Sequence, residues 1–247
     1  MASTSETGHI KTVANFEILI SRCTGFGTSY NPSKVTIKLP ALIALHTDAE
    51  DSITAVDVAN TATINAVNAR KSTFKPLKGL ATRIVNALAS TDASDELIED
   101  ARSINRKIQG TRKGGTTPPE TPPTPPDPTS ETTHISVSQQ SYDNQVENFF
   151  RLGKLVESEP TYTPNETDLQ LPALIAFHHD LKAKNTAVIN ANTAAGNARI
   201  NRNKILYQDK TGLYDIAGEV KKYVMSVFGG SSPEFKNVSK IKFTKPA

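Results

Sequence analysis

The chain reads as all-α: two tandem homologous helical bundles with up-and-down packing, each of about three long helices plus a short one, joined by a Pro-rich linker. Three observations lead there. The stretch Leu39-Pro-Ala-Leu-Ile-Ala-Leu-His-Thr-Asp48 returns as Leu171-Pro-Ala-Leu-Ile-Ala-Phe-His-His-Asp180. The offset, 171 − 39 = 132, holds without a gap over 30–70 against 162–202, with 20 identities in 41 positions, which marks a tandem duplication. Each repeat opens a long segment free of further proline, and prolines crowd instead between the repeats. The expected organisation is a disordered tail at 1–9, a bundle at 10–110, a flexible linker at 111–133 and a second bundle at 134–247.

In order along the chain, a first helix is expected over 10–26, with Val13, Phe16, Ile20 and Cys23 at helical spacing and Gly25 and Gly27 ending it. Asn31 and Pro32, and Thr163 with Glu166 in the second copy, are spaced to cap a short helical turn. Pro40 and Pro172 fit a helix start and not its interior, so the main helices begin at the repeated Leu-Pro and run over 39–74 and 171–207. About 36 residues at 1.5 Å each make a helix roughly 54 Å long. Ala55, Ala59, Ala62, Ala66 and Ala69, echoed by Ala187, Ala191, Ala194 and Ala198, form a heptad seam that would let a neighbouring helix approach closely. The adjacent seam of Leu42, His46, Ala49, Ile53, Val56, Asn60, Thr63 and Val67 mixes large and polar residues. Third helices follow at 80–89, after Pro76, and at 213–228. Ser94 and Ser232 are placed to cap a short last helix in each half. The first helix of the second half is expected over 136–157.

Composition removes several function classes. Residues 1–110 carry 12 basic and 11 acidic side chains and residues 134–247 carry 14 and 11, so neither half has the basic excess of a nucleic-acid binder. Cys23 is the single cysteine and lies among apolar neighbours, as a small buried hydrophobe does. The polar N-terminus has no signal-like core, and no apolar run reaches the ~18 residues of a membrane span. The expectation is a cytoplasmic protein with no membrane contact.

The candidates for a site are residues kept between the copies, His46 and Asp48 with His178 and Asp180, Asn60 with Asn192 and Arg70 with Arg202, together with the extra His179. A His-x-Asp element can ligate a metal, but on a helix residues two apart point about 200° apart, which favours an interface histidine. Asn is a poor helix former, so its retention in Asn60 and Asn192 points to register-fixing hydrogen bonds or to a polar ligand groove. No catalytic constellation, P-loop, dinucleotide fingerprint or metalloprotease motif is present.

Several longer strings carry a likeness. They are Asn68-Ala-Arg70 followed by Phe74-Lys-Pro-Leu77, Ala101-Arg-Ser-Ile-Asn-Arg-Lys-Ile108, Asn185-Thr-Ala-Val-Ile-Asn190, and Val220-Lys-Lys-Tyr-Val224 with the Phe-Gly and Ser-Ser-Pro beyond it. Together with the Pro-rich middle, the chain resembles a family of uncharacterised bacterial all-helical proteins. The resemblance implies an all-α bundle and carries no activity, cofactor or site residue. The functional expectation is a non-enzymatic structural or interaction protein, its partner another protein or a second copy of itself, without cofactor. The alternative is a small-ligand or metal-binding bundle using the repeated His, Asp, Asn and Arg positions.

Overall fold

The computed structural model of the chain describes residues 4–110 and 140–245; the expected Pro-rich linker at 111–133 lies outside them. The protein is all-helical, and the described residues contain no strand. The helices are α1 (Thr4–Gly25), α2 (Leu39–Phe74), α3 (Leu77–Ala89), α4 (Asp95–Gln109), α5 (Tyr142–Glu157), α6 (Leu171–Tyr207), α7 (Leu213–Phe228) and α8 (Pro233–Ser239). None of them is long and apolar enough to cross a membrane.

Local chemistry sets the helix ends. Ser94, Ser141 and Ser232 each accept the amide N–H three residues on, from Leu97, Asn144 and Phe235, so each satisfies a donor the first turn leaves orphaned. Pro40 and Pro172 sit second in α2 and α6, where the missing N–H costs nothing. Gly110 closes α4 at φ 78°, a conformation that penalises any Cβ. Gly212 is required for a different reason. A Cβ there would lie 2.6 Å from the Gln208 nitrogen, because the chain folds back on the end of α6 before starting α7.

Two compact units emerge, one from Met1–Ile64 with Asn190–Ala247, the other from Asn65–Ile189. Unit 1 is organised by α1, α7 and α8, unit 2 by α3, α4 and α5, and the unit boundaries fall inside α2 and α6. Each unit therefore takes helices from both sequence halves, a division different from the expected one bundle per half. The physical reason is length: a helix of 36 residues outruns a single core, and its two ends are buried by different partners. In unit 1, Phe16, Leu19 and Cys23 of α1 share a core with Leu42, Ala49, Leu206, Leu213, Val220 and Val224. In unit 2, Phe149, Leu152 and Val156 of α5 share one with Leu77, Ile84, Leu88, Ala101, Ile108, Leu174 and Leu181.

The packing stripe of the long helices is not the alanine seam. Ala55, Ala62, Ala69, Ala187 and Ala194 are exposed, and the alanines between them are half-buried. The buried row is the mixed seam, Leu42, Ala49 and Val56 in α2 and Leu174, Leu181, Val188 and Ala195 in α6, each seven residues after the last. Larger side chains remove more apolar area from water, so they decide which face turns inward. Two further expectations are corrected. α1 starts at Thr4, and His9, placed in the tail by sequence, is buried. The turn after Tyr30 forms further on, as a 3₁₀ turn at Val35–Ile37, and after Tyr162 a single turn closes at the matching place, the Leu169 N–H donating to the Glu166 carbonyl (3.0 Å). The two loops also share a buried tyrosine hydroxyl: Tyr30 donates to the Ile37 carbonyl (2.7 Å) and Tyr162 to that of Leu169 (3.0 Å).

Leu181→Ala should lower unfolding free energy by about 2–5 kcal/mol, whereas Ala62→Gln should change it by less than ~0.5 kcal/mol, as read by denaturant titration. Burial pushes the Cys23 thiol up to about 12, so a thiol reagent at neutral pH should label it only on unfolding.

Candidate functional site

Unit 2 carries a groove along α5 and α6. Its lining residues recur at alternating steps of three and four: Asp143, Val146, Phe150, Gly153 and Glu157 on α5, and Leu171, Ile175, His178, Lys182, Asn185 and Ile189 on α6. The groove consists of an apolar cavity of about 170 Å³ and an adjoining wetter one of about 380 Å³, with Phe150 and His178 lining both. Phe150, Ile175 and Ile189 leave a large share of their apolar surface in water.

Gly153 lines the apolar cavity, and a Cβ there would project into open space, with no atom within 4 Å beyond its chain neighbours and its own helix backbone. The sequence of α1, in unit 1, aligns with that of α5, in unit 2, through their buried residues Phe16 with Phe149, Leu19 with Leu152 and Cys23 with Val156. That register places Ile20 opposite Gly153, and Ile20 packs against the unit 1 core. The rim is charged. Lys154 pairs with Glu157 at 2.7 Å and lies 5.8 Å from the Phe150 ring centre.

His178 sits at the middle of the groove, its ring 5.0 Å from Phe150 and 5.7 Å from His179. Burial holds its pKa below the ordinary 6.5, and the charges of His179 and Lys182 push the same way against a smaller opposing pull from Glu147. At neutral pH it presents a neutral ring to an apolar cavity.

The other end of the groove is a polar chain. Arg70 donates to the Asn185 side-chain oxygen (2.9 Å), Asn185 donates to Asp143 (2.5 Å), and the Arg70 guanidinium lies 3.8 Å over the Tyr142 ring. Arg70 Nε is buried with no hydrogen-bond partner. Hydrogen bonding on one edge and stacking on one face hold the guanidinium flat, a geometry that lysine cannot reproduce.

The remaining sequence candidates are scattered. His46 belongs to unit 1, its Nδ1 3.4 Å from Glu50 and its Nε2 buried without a partner. Asp48 is exposed on another face, and exposed Asp180 pairs loosely with Lys184 at 3.7 Å. Arg202 is buried and bonds Asn203 (2.9 Å), and Asn60 accepts from Arg199 (2.5 Å), both within unit 1. Asn192, the counterpart of Asn60, is exposed, so the two do not share a register-fixing role. Among the described residues no three His, Cys, Asp or Glu side chains converge to hold a metal.

Sequence reasoning missed Asn185, because its counterpart is Ile53 and a search for repeated polar residues passes over it. It also missed His9, whose Nδ1 lies 2.7 Å from the Tyr207 hydroxyl. The signal for Asn185 was its place in the buried seam, three residues before Val188 and four after Leu181. In comparisons of sequence and fold, no family model, curated protein or solved structure matches the chain.

Two measurements probe this region. Because His178 titrates lower folded than unfolded, the unfolded chain binds more protons between the two values, and stability falls as pH drops below about 6.5. His178→Gln should flatten that acid slope in thermal melts between about pH 7 and 5. Arg70→Met should cost about 1–3 kcal/mol by leaving the Asn185 side-chain oxygen without its donor, and Arg70→Lys should not restore it.

Proposed function

We propose that the chain is a non-enzymatic interaction protein whose α5–α6 groove receives an amphipathic helix of a partner protein. The observation that carries this reading is the spacing of the groove walls. Both edges repeat at three and four residues, the period that accepts the knobs of a third helix between two others. Exposed Phe150, Ile175 and Ile189 supply apolar area, and the Lys154–Glu157 pair and Lys182 form a polar rim.

Volume favours side chains over a free small ligand. A cavity of about 170 Å³ falls below the ~300 Å³ at which small-molecule sites begin, but it suits one or two inserted side chains. The second reading keeps a place for a small ligand at the polar end, where Asp143 and Asn185 line the larger cavity and Arg70 holds Asn185 from behind. We read the protein as cytoplasmic, acting on neither nucleic acid nor membrane, in line with its balanced charge and the lack of a spanning helix among the described residues. We also read its halves as products of one duplication with a Pro-rich spacer between them. The matching Tyr30 and Tyr162 hydrogen bonds support the duplication independently of sequence identity.

A display library of amphipathic helical peptides, selected on the intact protein, tests the groove. Gly153→Ile should weaken the selected peptides at least tenfold by filling the cavity. It should also leave thermal stability equal or higher, since glycine in a helix costs about 0.5–1 kcal/mol. Enrichment of no peptide, or equal binding to the variant, would defeat the reading. Sedimentation across concentration separates a second copy as occupant: self-association abolished by Gly153→Ile would replace the heterologous partner.

A further inference from the structure

We infer that two ion pairs, Lys34–Glu219 and Arg83–Asp168, are the specificity determinants of the surface by which one half of the chain recognises the other. The inference rests on reading the halves as homologous. Each unit is built from both halves, and within each unit the loop of one half meets the third helix of the other. In unit 1 the loop residue Lys34 contacts Glu219 of α7 at 2.6 Å. In unit 2 the loop residue Asp168 is paired with Arg83 of α3, through both guanidinium nitrogens.

The two pairs occupy corresponding loop-to-helix contacts with the charges exchanged: at the offset of 132 Lys34 stands against Glu166, and Asp168, two residues beyond Glu166, makes the pair in unit 2. Buried Leu77, Ala81, Ile84 and Leu88 of α3 match buried Leu213, Ala217, Val220 and Val224 of α7 at one offset, 213 − 77 = 136. The same offset, 219 − 83 = 136, sets Arg83 against Glu219. The loops are matched by their tyrosine hydrogen bonds. Over 31–38 the only charged residues are Lys34 and Lys38, and over 163–170 they are Glu166 and Asp168.

Consider the alternative pairings. If a half folded on itself, or met the same half of a second copy, the basic loop of Lys34 would face Arg83 and the acidic loop of Glu166 and Asp168 would face Glu219. Each is a like-charge contact. Only the pairing of a first half with a second half brings opposite charges together at both places. The four residues are substantially exposed, so the pairs add little to overall stability. Their leverage is on the choice between pairings that otherwise bury similar apolar residues, where attraction in one arrangement becomes repulsion in the other.

The test uses the full chain carrying a protease site between Gly114 and Thr133, cleaved after folding, then unfolded and refolded as a mixture of its two fragments. Native mass spectrometry counts first-with-second pairs against like-with-like species. The cleaved wild type should refold almost wholly as first-with-second pairs. Arg83→Glu with Glu219→Arg, which leaves composition and net charge nearly unchanged, should lower the ratio about tenfold or more at low salt, with the effect shrinking as salt rises. Adding Lys34→Glu and Asp168→Arg should restore it. The uncut variants provide a second reading: the unfolding midpoint should fall in the double variant and recover in the quadruple one. An unchanged ratio, or a loss the quadruple variant does not repair, overturns the inference. None of the four residues lines the α5–α6 groove, so this outcome is independent of helix docking.

Discussion

Burial of one seven-residue seam on each long helix is the constraint on which the rest depends. Leu42, Ala49 and Val56 on α2, and Leu174, Leu181, Val188 and Ala195 on α6, face inward while the alanine rows beside them do not. A seam of that length cannot be covered by one short helix. Different helices cover its ends, α1 and α7 contributing to the unit 1 core and α3, α4 and α5 to that of unit 2. Extending the same seam by seven reaches Thr63 and then Arg70, and past Ala195 it reaches Arg202. The repeated arginines thus stand on the inward row, which explains why Arg202 is buried and Arg70 is tied down by Asn185 and Tyr142. A guanidinium at such a position needs hydrogen bonds and an aromatic face to offset its desolvation.

Divergence between the copies marks where chemistry differs. Gly153 stands where α1 has Ile20, and it lines the apolar cavity of unit 2 together with His178. Asn185 stands where α2 has Ile53, and it links Arg70 to Asp143. Both kept and changed residues line the groove: Leu171, Leu174, Ile175 and His178 match Leu39, Leu42, Ile43 and His46, whereas Lys182 and Asn185 stand against Glu50 and Ile53.

Much of the helical layout was legible. The bounds of α2, α6 and α7 follow from Pro40, Pro172, the break at Gln208-Asp-Lys-Thr-Gly212 and Gly229, because backbone rules act locally. The inward face was less legible. Alanine is common on both packed and exposed helix surfaces, so an alanine row says little about burial, and the larger residues beside it decided the matter. The start of α1 was obscured by the polar residues before Ile10, although His9 is held against Tyr207. The groove itself is lined from two separate helices and is visible only once α5 and α6 lie side by side.

By itself the sequence determined the helical class, the extent of the long helices, the caps Ser94 and Ser232 and the residues shared between copies, but not Ser141, which starts α5 at Tyr142 and not at 136. Each rests on interactions within a few positions along the chain. Tertiary structure alone decided which helices join in each core, which seam is buried, and that Arg70, Asn185 and Asp143 form one chain of hydrogen bonds. Those outcomes depend on contacts between residues more than a hundred positions apart, such as Arg70 with Asn185, whose free energy exists only after the helices have met.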